Sequence, residues 1–155
     1  MSNETKLKTT INGIEYDLMV PARLLASDFL RDNLNLTGTH VGCEHGICGS
    51  CTIKIDGLTA RSCLKFAVQL DGKKVETVES FKEKPETRNI LEKFKAHHSL
   101  QCGFCTPGFL MIIDELLKSK IKFSENEIRE ALSGNLCRCT GSVSYTHLRA
   151  HETYD

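Results

Sequence analysis

The eight cysteines fall into two sets of four, and no other feature constrains this chain as strongly. The first set is Cys43, Cys48, Cys51 and Cys63, spaced C-x4-C-x2-C-x11-C. The second is Cys102, Cys105, Cys137 and Cys139, spaced C-x2-C-x31-C-x-C. In an oxidising compartment such a count implies disulfides, whereas clustered thiols in a reducing one bind metal. The N-terminus, Met1-Ser2-Asn3-Glu4-Thr5-Lys6, lacks the apolar run of a secretory signal, and no stretch approaches the ~20 apolar residues of a membrane helix. The expectation is therefore a cytoplasmic chain without a membrane span, whose cysteines hold metal.

The spacing of Cys43, Cys48 and Cys51 is that of plant-type [2Fe–2S] ferredoxins. Each iron of such a cluster takes two thiolates besides its bridging sulfides. Three ligands close in sequence must come from a loop wrapped tightly round the cluster. Glycines let that backbone approach and aim its N–H groups at the sulfurs. Gly42, Gly46 and Gly49 supply them, and Cys63 returns after the turn Asp56-Gly57. A structural zinc site fits less well, because it usually shows two separated C-x2-C knuckles.

The second quartet is less decided by its spacing. Cys102 and Cys105 form an ordinary zinc knuckle, so a four-thiolate zinc site rivals an iron–sulfur centre; the C-x-C pair is less usual for zinc. Cys105 directly precedes Thr106-Pro107, read as the N-cap and first residue of a helix. The free N–H groups and positive dipole end there suit an anionic cluster.

Around the cysteines the periodicity changes once. Residues 6–20 read as a β-hairpin about Asn12-Gly13, with Leu7, Thr9 and Ile11 facing Ile14, Tyr16, Leu18 and Val20. Residues 24–34 carry a short helical stripe. Cys51–Ile55 reads as a strand, Phe66, Val68 and Leu70 as a second, and Val75 and Val78 as a last. Residues 79–86 are polar and read as a linker. Beyond it Ile90, Leu91, Phe94 and His98 share a helical face, Phe109–Leu117 reads as a buried helix, and Ser124 to Glu127 matches a capping box closed by Gly134. The expected fold class is α+β, with a small mixed sheet crossed by one helix and then a helical bundle. The expected division is 1–79, 80–141 and an atypical tail, 142–155.

Lys plus Arg equals Asp plus Glu at 20 each, so nothing marks a nucleic-acid partner. There is neither G-x-G-x-x-G nor a P-loop, so flavin and nucleotide are not expected on this chain. His45 is read as exposed, because four cysteines already complete its loop. His97 and His98, being adjacent, cannot share a helix face, and His147 and His151 lie in the atypical tail.

At the cysteine motifs the chain resembles a known family. The stretches are Val41-Gly42-Cys43-Glu44-His45-Gly46-Ile47-Cys48-Gly49-Ser50-Cys51, Gln101-Cys102-Gly103-Phe104-Cys105-Thr106-Pro107-Gly108, and Gly134-Asn135-Leu136-Cys137-Arg138-Cys139-Thr140-Gly141. They are similar to the iron–sulfur subunit of the molybdenum hydroxylases, the family of xanthine oxidase, aldehyde oxidoreductase and carbon monoxide dehydrogenase. The resemblance implies a β-grasp ferredoxin-like domain, then a four-helix bundle, with a [2Fe–2S] cluster on each quartet. It implies electron transfer from a molybdenum–pterin centre in a large partner subunit to the second quartet, then the first, then an acceptor, usually FAD in a medium subunit. Gln101 and Cys139 match positions that contact the pterin in relatives, and this chain itself carries no catalytic residue. After Gly141 relatives continue into an apolar-periodic helix. Ser142–Asp155 has no such stripe and reads as foreign to the family, which predicts a more labile second cluster. Two other functions fit the cysteines by themselves: a free-standing ferredoxin, which needs only the first half, and a zinc-stabilised interaction module.

Overall fold

The computed structural model describes residues 4–139. Strands β1 (Glu4–Ile11) and β2 (Ile14–Pro21) form the expected hairpin, in register from Glu4↔Pro21 to Ile11↔Ile14. Asn12 and Gly13 both take positive φ, as a tight primed turn requires. The Asn12 side chain also clasps Thr77, donating to its hydroxyl and accepting from its N–H, each at 2.8 Å. Strands β3 (Thr52–Ile55), β4 (Leu58–Arg61) and β5 (Lys74–Glu76) complete a mixed sheet in the order β2-β1-β5-β3-β4. The pairing of β1 with β5 is parallel, through Thr10↔Lys74 and Ile11↔Val75.

The helical stripe at 24–34 becomes a single α-turn, α1 (Ala26–Asp28), continued by a π-helical turn over Phe29–Asn33. The wider turn is closed by Leu34 N–H donating to the Phe29 carbonyl at 3.1 Å. It buries Ala26, Phe29 and Leu30 completely against Leu7, Ile11, Ile53, Leu70 and Val75. Burying one such side chain contributes roughly 1.5–3 kcal/mol, so this half has a core of its own.

Three expectations need correction. The alternation Phe66, Val68, Leu70 is not a strand: Ala67–Leu70 is a 3-10 turn that buries Ala67 and Leu70 and leaves Phe66 exposed. The last strand ends at Glu76, and Val78 opens another 3-10 turn, Val78–Lys82. That turn occupies the supposed linker, and it is no spacer. Phe81 is 1 % exposed and packs with the helices that follow. A polar count over 79–86 hid one aromatic anchor.

Those helices are α2 (Pro85–Ala96), α3 (Thr106–Lys118) and α4 (Glu125–Ser133). Their core is Phe81, Ile90, Phe94, Phe109, Leu110, Met111, Ile128 and Leu132, separate from the core under the sheet. Helix α2 ends at Ala96, and His98 lies beyond it at positive φ, exposed rather than on the helix face. Helix α3 begins one residue earlier than expected: Cys105 is its N-cap, and Thr106 and Pro107 fill its first two positions. The capping box of α4 is present, with Ser124 and Glu127 bonding reciprocally and Gly134 as C-cap. Thr140, Gly141 and the tail 142–155 lie outside the described residues.

Candidate metal centres

The first quartet is presented by the loop between the π-turn and β3, and by the 3-10 turn after β4. Gly46 and Gly49 take positive φ, and so does Glu44. These reversals curl the loop so that its amides face inward. The Cys48 N–H donates to the Cys43 sulfur at 3.4 Å. That amide, with those of His45 and Ile47, draws the Cys43 thiol down to about 6. Cys63 behaves oppositely: burial first, then the neighbouring Cys51 thiol, push it up to about 11. Cys51 and Cys63 are buried, Cys43 and Cys48 half-buried. His45 is exposed and turns its ring to the Cys43 carbonyl.

The second quartet joins two segments. Cys102 precedes α3, Cys105 caps it, and Cys137 and Cys139 follow α4. The sulfurs of Cys102 and Cys139 lie 3.3 Å apart. The Phe104 N–H lowers the Cys102 thiol, and the hydrogen bond from Cys139 to Cys102 raises the Cys139 thiol. Cys105 is buried, Cys137 half-buried, and Cys102, Cys139 and Gln101 are exposed. Among the described residues no three potential ligands gather closely enough for a single metal ion. The sulfurs approach in pairs instead: Cys43 with Cys48, Cys51 with Cys63, and Cys102 with Cys139. Thiolate pairs are the donor set that a two-iron cluster uses, two sulfurs to each iron, and inward N–H groups suit its negative charge.

A polar seam, invisible in the sequence reading, joins the two quartets. The Leu136 N–H donates to the Cys48 carbonyl at 2.9 Å, so a residue beside Cys137 bonds directly to the first loop. Asn135, 6 % exposed, is wedged between Gly49 and Gly108, and neither end of its amide has a partner among the described residues. Arg61 donates to the Gly134 carbonyl at 2.8 Å. His40 stacks on Phe104 with centroids 4.8 Å apart and donates Nδ1–H to its carbonyl.

Further from the cysteines, Lys54 of β3 is 2 % exposed and pairs with Asp114 of α3 and with Glu76 of β5. Asp114 also meets Lys118, and Glu76 meets Lys84. Burial by itself would lower the Lys54 ammonium; the Asp114 and Glu76 carboxylates outweigh that and raise it, so it stays charged. Alongside, the outward N–H of Thr59 on edge strand β4 donates to the Glu115 carboxylate at 2.8 Å. Two signals were open to sequence reading: a lysine inside the strand Thr52–Ile55, and a carboxylate inside the apolar run Phe109–Leu117.

Comparison with known proteins decides the family. The family described as "[2Fe-2S] binding domain" matches residues 77–148, and "2Fe-2S iron-sulfur cluster binding domain" matches 32–99. Caffeine dehydrogenase subunit gamma from Pseudomonas sp. (strain CBB1) is 51% identical, over 87% of this chain and 83% of its own length. The nicotine 6-hydroxylase small subunit of Paenarthrobacter nicotinovorans is 48% identical, over 90% of this chain and 84% of its own. This chain belongs to the iron–sulfur small subunits of the molybdenum hydroxylases. The crystal structure of quinoline 2-oxidoreductase from Pseudomonas putida 86 superposes with a TM-score of 0.90 at 43% identity, covering 98% of this chain and 94% of that one. As a member of this family, the chain is an electron-transfer subunit of a molybdenum-dependent oxidoreductase and has two 2Fe-2S binding domains. Among the described residues no helix is long and apolar enough to cross a membrane.

Proposed function

We propose that Cys43, Cys48, Cys51 and Cys63 hold one [2Fe–2S] cluster and that Cys102, Cys105, Cys137 and Cys139 hold the other. The observation that carries this is the pairwise approach of the sulfurs, with backbone N–H groups turned toward them. Bound clusters supply one-electron transfer, which lets a two-electron oxidation elsewhere be discharged in single steps. This chain's residues hold the two centres close: Leu136 and Cys48 join their loops by one hydrogen bond.

In this reading residues 1–79 form a β-grasp ferredoxin-like domain and 80–141 a helical cluster domain, a division supported by the two separate cores. The chain relays electrons from a molybdenum–pterin centre in a large partner subunit to FAD in a medium subunit. Gln101, exposed beside the second quartet, and Cys139, exposed within it, face that pterin. Relatives named for caffeine and nicotine support a nitrogen heterocycle as the complex's substrate, chosen by the partner chain.

The test is iron, labile sulfide and zinc analysis of anaerobically purified protein, with EPR after dithionite reduction. About four irons and four sulfides per chain are expected, from two [2Fe–2S] centres. Cys63→Ser removes one EPR signal and Cys137→Ser the other. Zinc without iron, in protein made with iron in excess, refutes the assignment.

A further inference from the structure

We propose that Lys54 and Asp114 are a positioning pair that sets the separation of the two clusters. The proposal rests on the reading above, one cluster on each quartet. Lys54 stands three residues after Cys51 on the strand that leaves the first quartet, and Asp114 stands nine residues after Cys105 on the helix that leaves the second. Their ion pair therefore ties the scaffold of one centre to that of the other.

Helix α3 touches the first loop at Gly108, which packs against the Gly49 backbone with no room for a side chain. Asp114 lies six residues beyond that contact and Cys105 three residues before it. At about 1.5 Å per residue these arms are about 9 and 4.5 Å. A drift of about 1 Å at Asp114 thus swings Cys105 by about half that, in the opposite sense. Apolar contacts resist such drift weakly because they have no preferred direction. The Lys54 ammonium, by contrast, is held by both Asp114 and Glu76, and the Asp114 oxygen that meets it, Oδ2, is also held by Lys118 at 3.0 Å. A buried ion pair of this kind adds little net stability over well-packed apolar residues, so its contribution is register.

The experiment uses the full chain carrying its clusters. Lys54→Met/Asp114→Leu replaces both charges with apolar groups, and Lys54→Arg keeps the charge. Iron per chain, melting temperature and the dipolar EPR splitting between the two reduced clusters are measured on each. The double variant is expected to fold and load iron like the wild type, with a melting temperature lowered only by the loss of the Lys54–Glu76 contact, yet show an altered splitting, while Lys54→Arg keeps the wild-type splitting. An unchanged splitting in the folded, loaded double variant overturns the proposal. If the double variant fails to fold, Asp114→Asn, which leaves Lys54 paired with Glu76, carries the same measurement: an altered splitting supports the pair and an unchanged one overturns it. A wild-type chain with only half its iron overturns the proposal together with the two-cluster reading, and the iron count separates that failure from a failure of the seam.

Discussion

Gly108→Ala pits two opposed effects against each other, and the structure decides the sign. Gly108 is the third residue of α3, where alanine improves helix propensity by about 1 kcal/mol. An added Cβ would, however, run into the Gly49 carbonyl oxygen and come within 2.7 Å of Asn135 Nδ2. The first obstacle is backbone and cannot rotate aside; the second is a buried amide with no free space. Overpacking of a tight site costs about 1–3 kcal/mol, and a collision with backbone belongs at or above the top of that range. The expected net destabilisation is about 2 kcal/mol, a factor of about 30 in the folded-to-unfolded ratio. For the 155-residue chain melting as one unit, that lowers the melting temperature by about 4–8 °C. Because the loop that must yield carries Cys48 and Cys51, iron at the first quartet falls as well. Thermal melts and iron analysis on Gly108→Ala check this, beside Gly134→Ala, whose Cβ would meet, among the described residues, the movable Arg61 guanidinium at 3.0 Å. A Gly108→Ala protein as stable as the parent and fully loaded would refute the close-packing argument.

Two further outcomes follow from the same structure. Phe81→Ala is expected to cost about 3–5 kcal/mol, read by denaturant titration, with the second EPR signal lost before the first, because Phe81 belongs to the helical core and not to the sheet core. Burial would raise Glu76, but hydrogen bonds from Lys84 and Lys54 outweigh it and hold the carboxyl at about 2, against an ordinary 4.5. A depressed carboxylate contributes stability that is complete above the unfolded value and is lost as pH falls from about 4.5 toward 2. Glu76→Gln should therefore flatten the acid limb of a stability-versus-pH curve and leave its slope near neutrality unchanged.

The parts of the fold that were legible rest on local chemistry. Asn12-Gly13 dictates a primed turn, and that turn fixes the register of β1 on β2 residue by residue. Ser124 and Glu127 likewise announce the start of α4. Misreadings arose where a period of two and a period of three share the same residues. Ala67 and Leu70, three apart, are the buried pair, whereas Phe66, Val68 and Leu70 suggested alternation. Phe81 was missed for a related reason: one buried aromatic among charged neighbours carries no periodicity. The ligand quartets could be read because their spacing is itself the signal. The pairing of Lys54 with Asp114 could not, since each residue stands out alone but they are 60 positions apart and meet only through the tertiary fold.

The bond from the Thr59 N–H to Glu115 has a meaning beyond the centres it lies near. A strand at the margin of a sheet offers unpaired amides on which another chain can add itself. β4 is such a margin, and here a helix carboxylate stoppers it. The helical half thus doubles as a guard on the sheet. A chain cut short before α3 would lose that stopper and leave the Thr59 amide on the strand edge without its carboxylate.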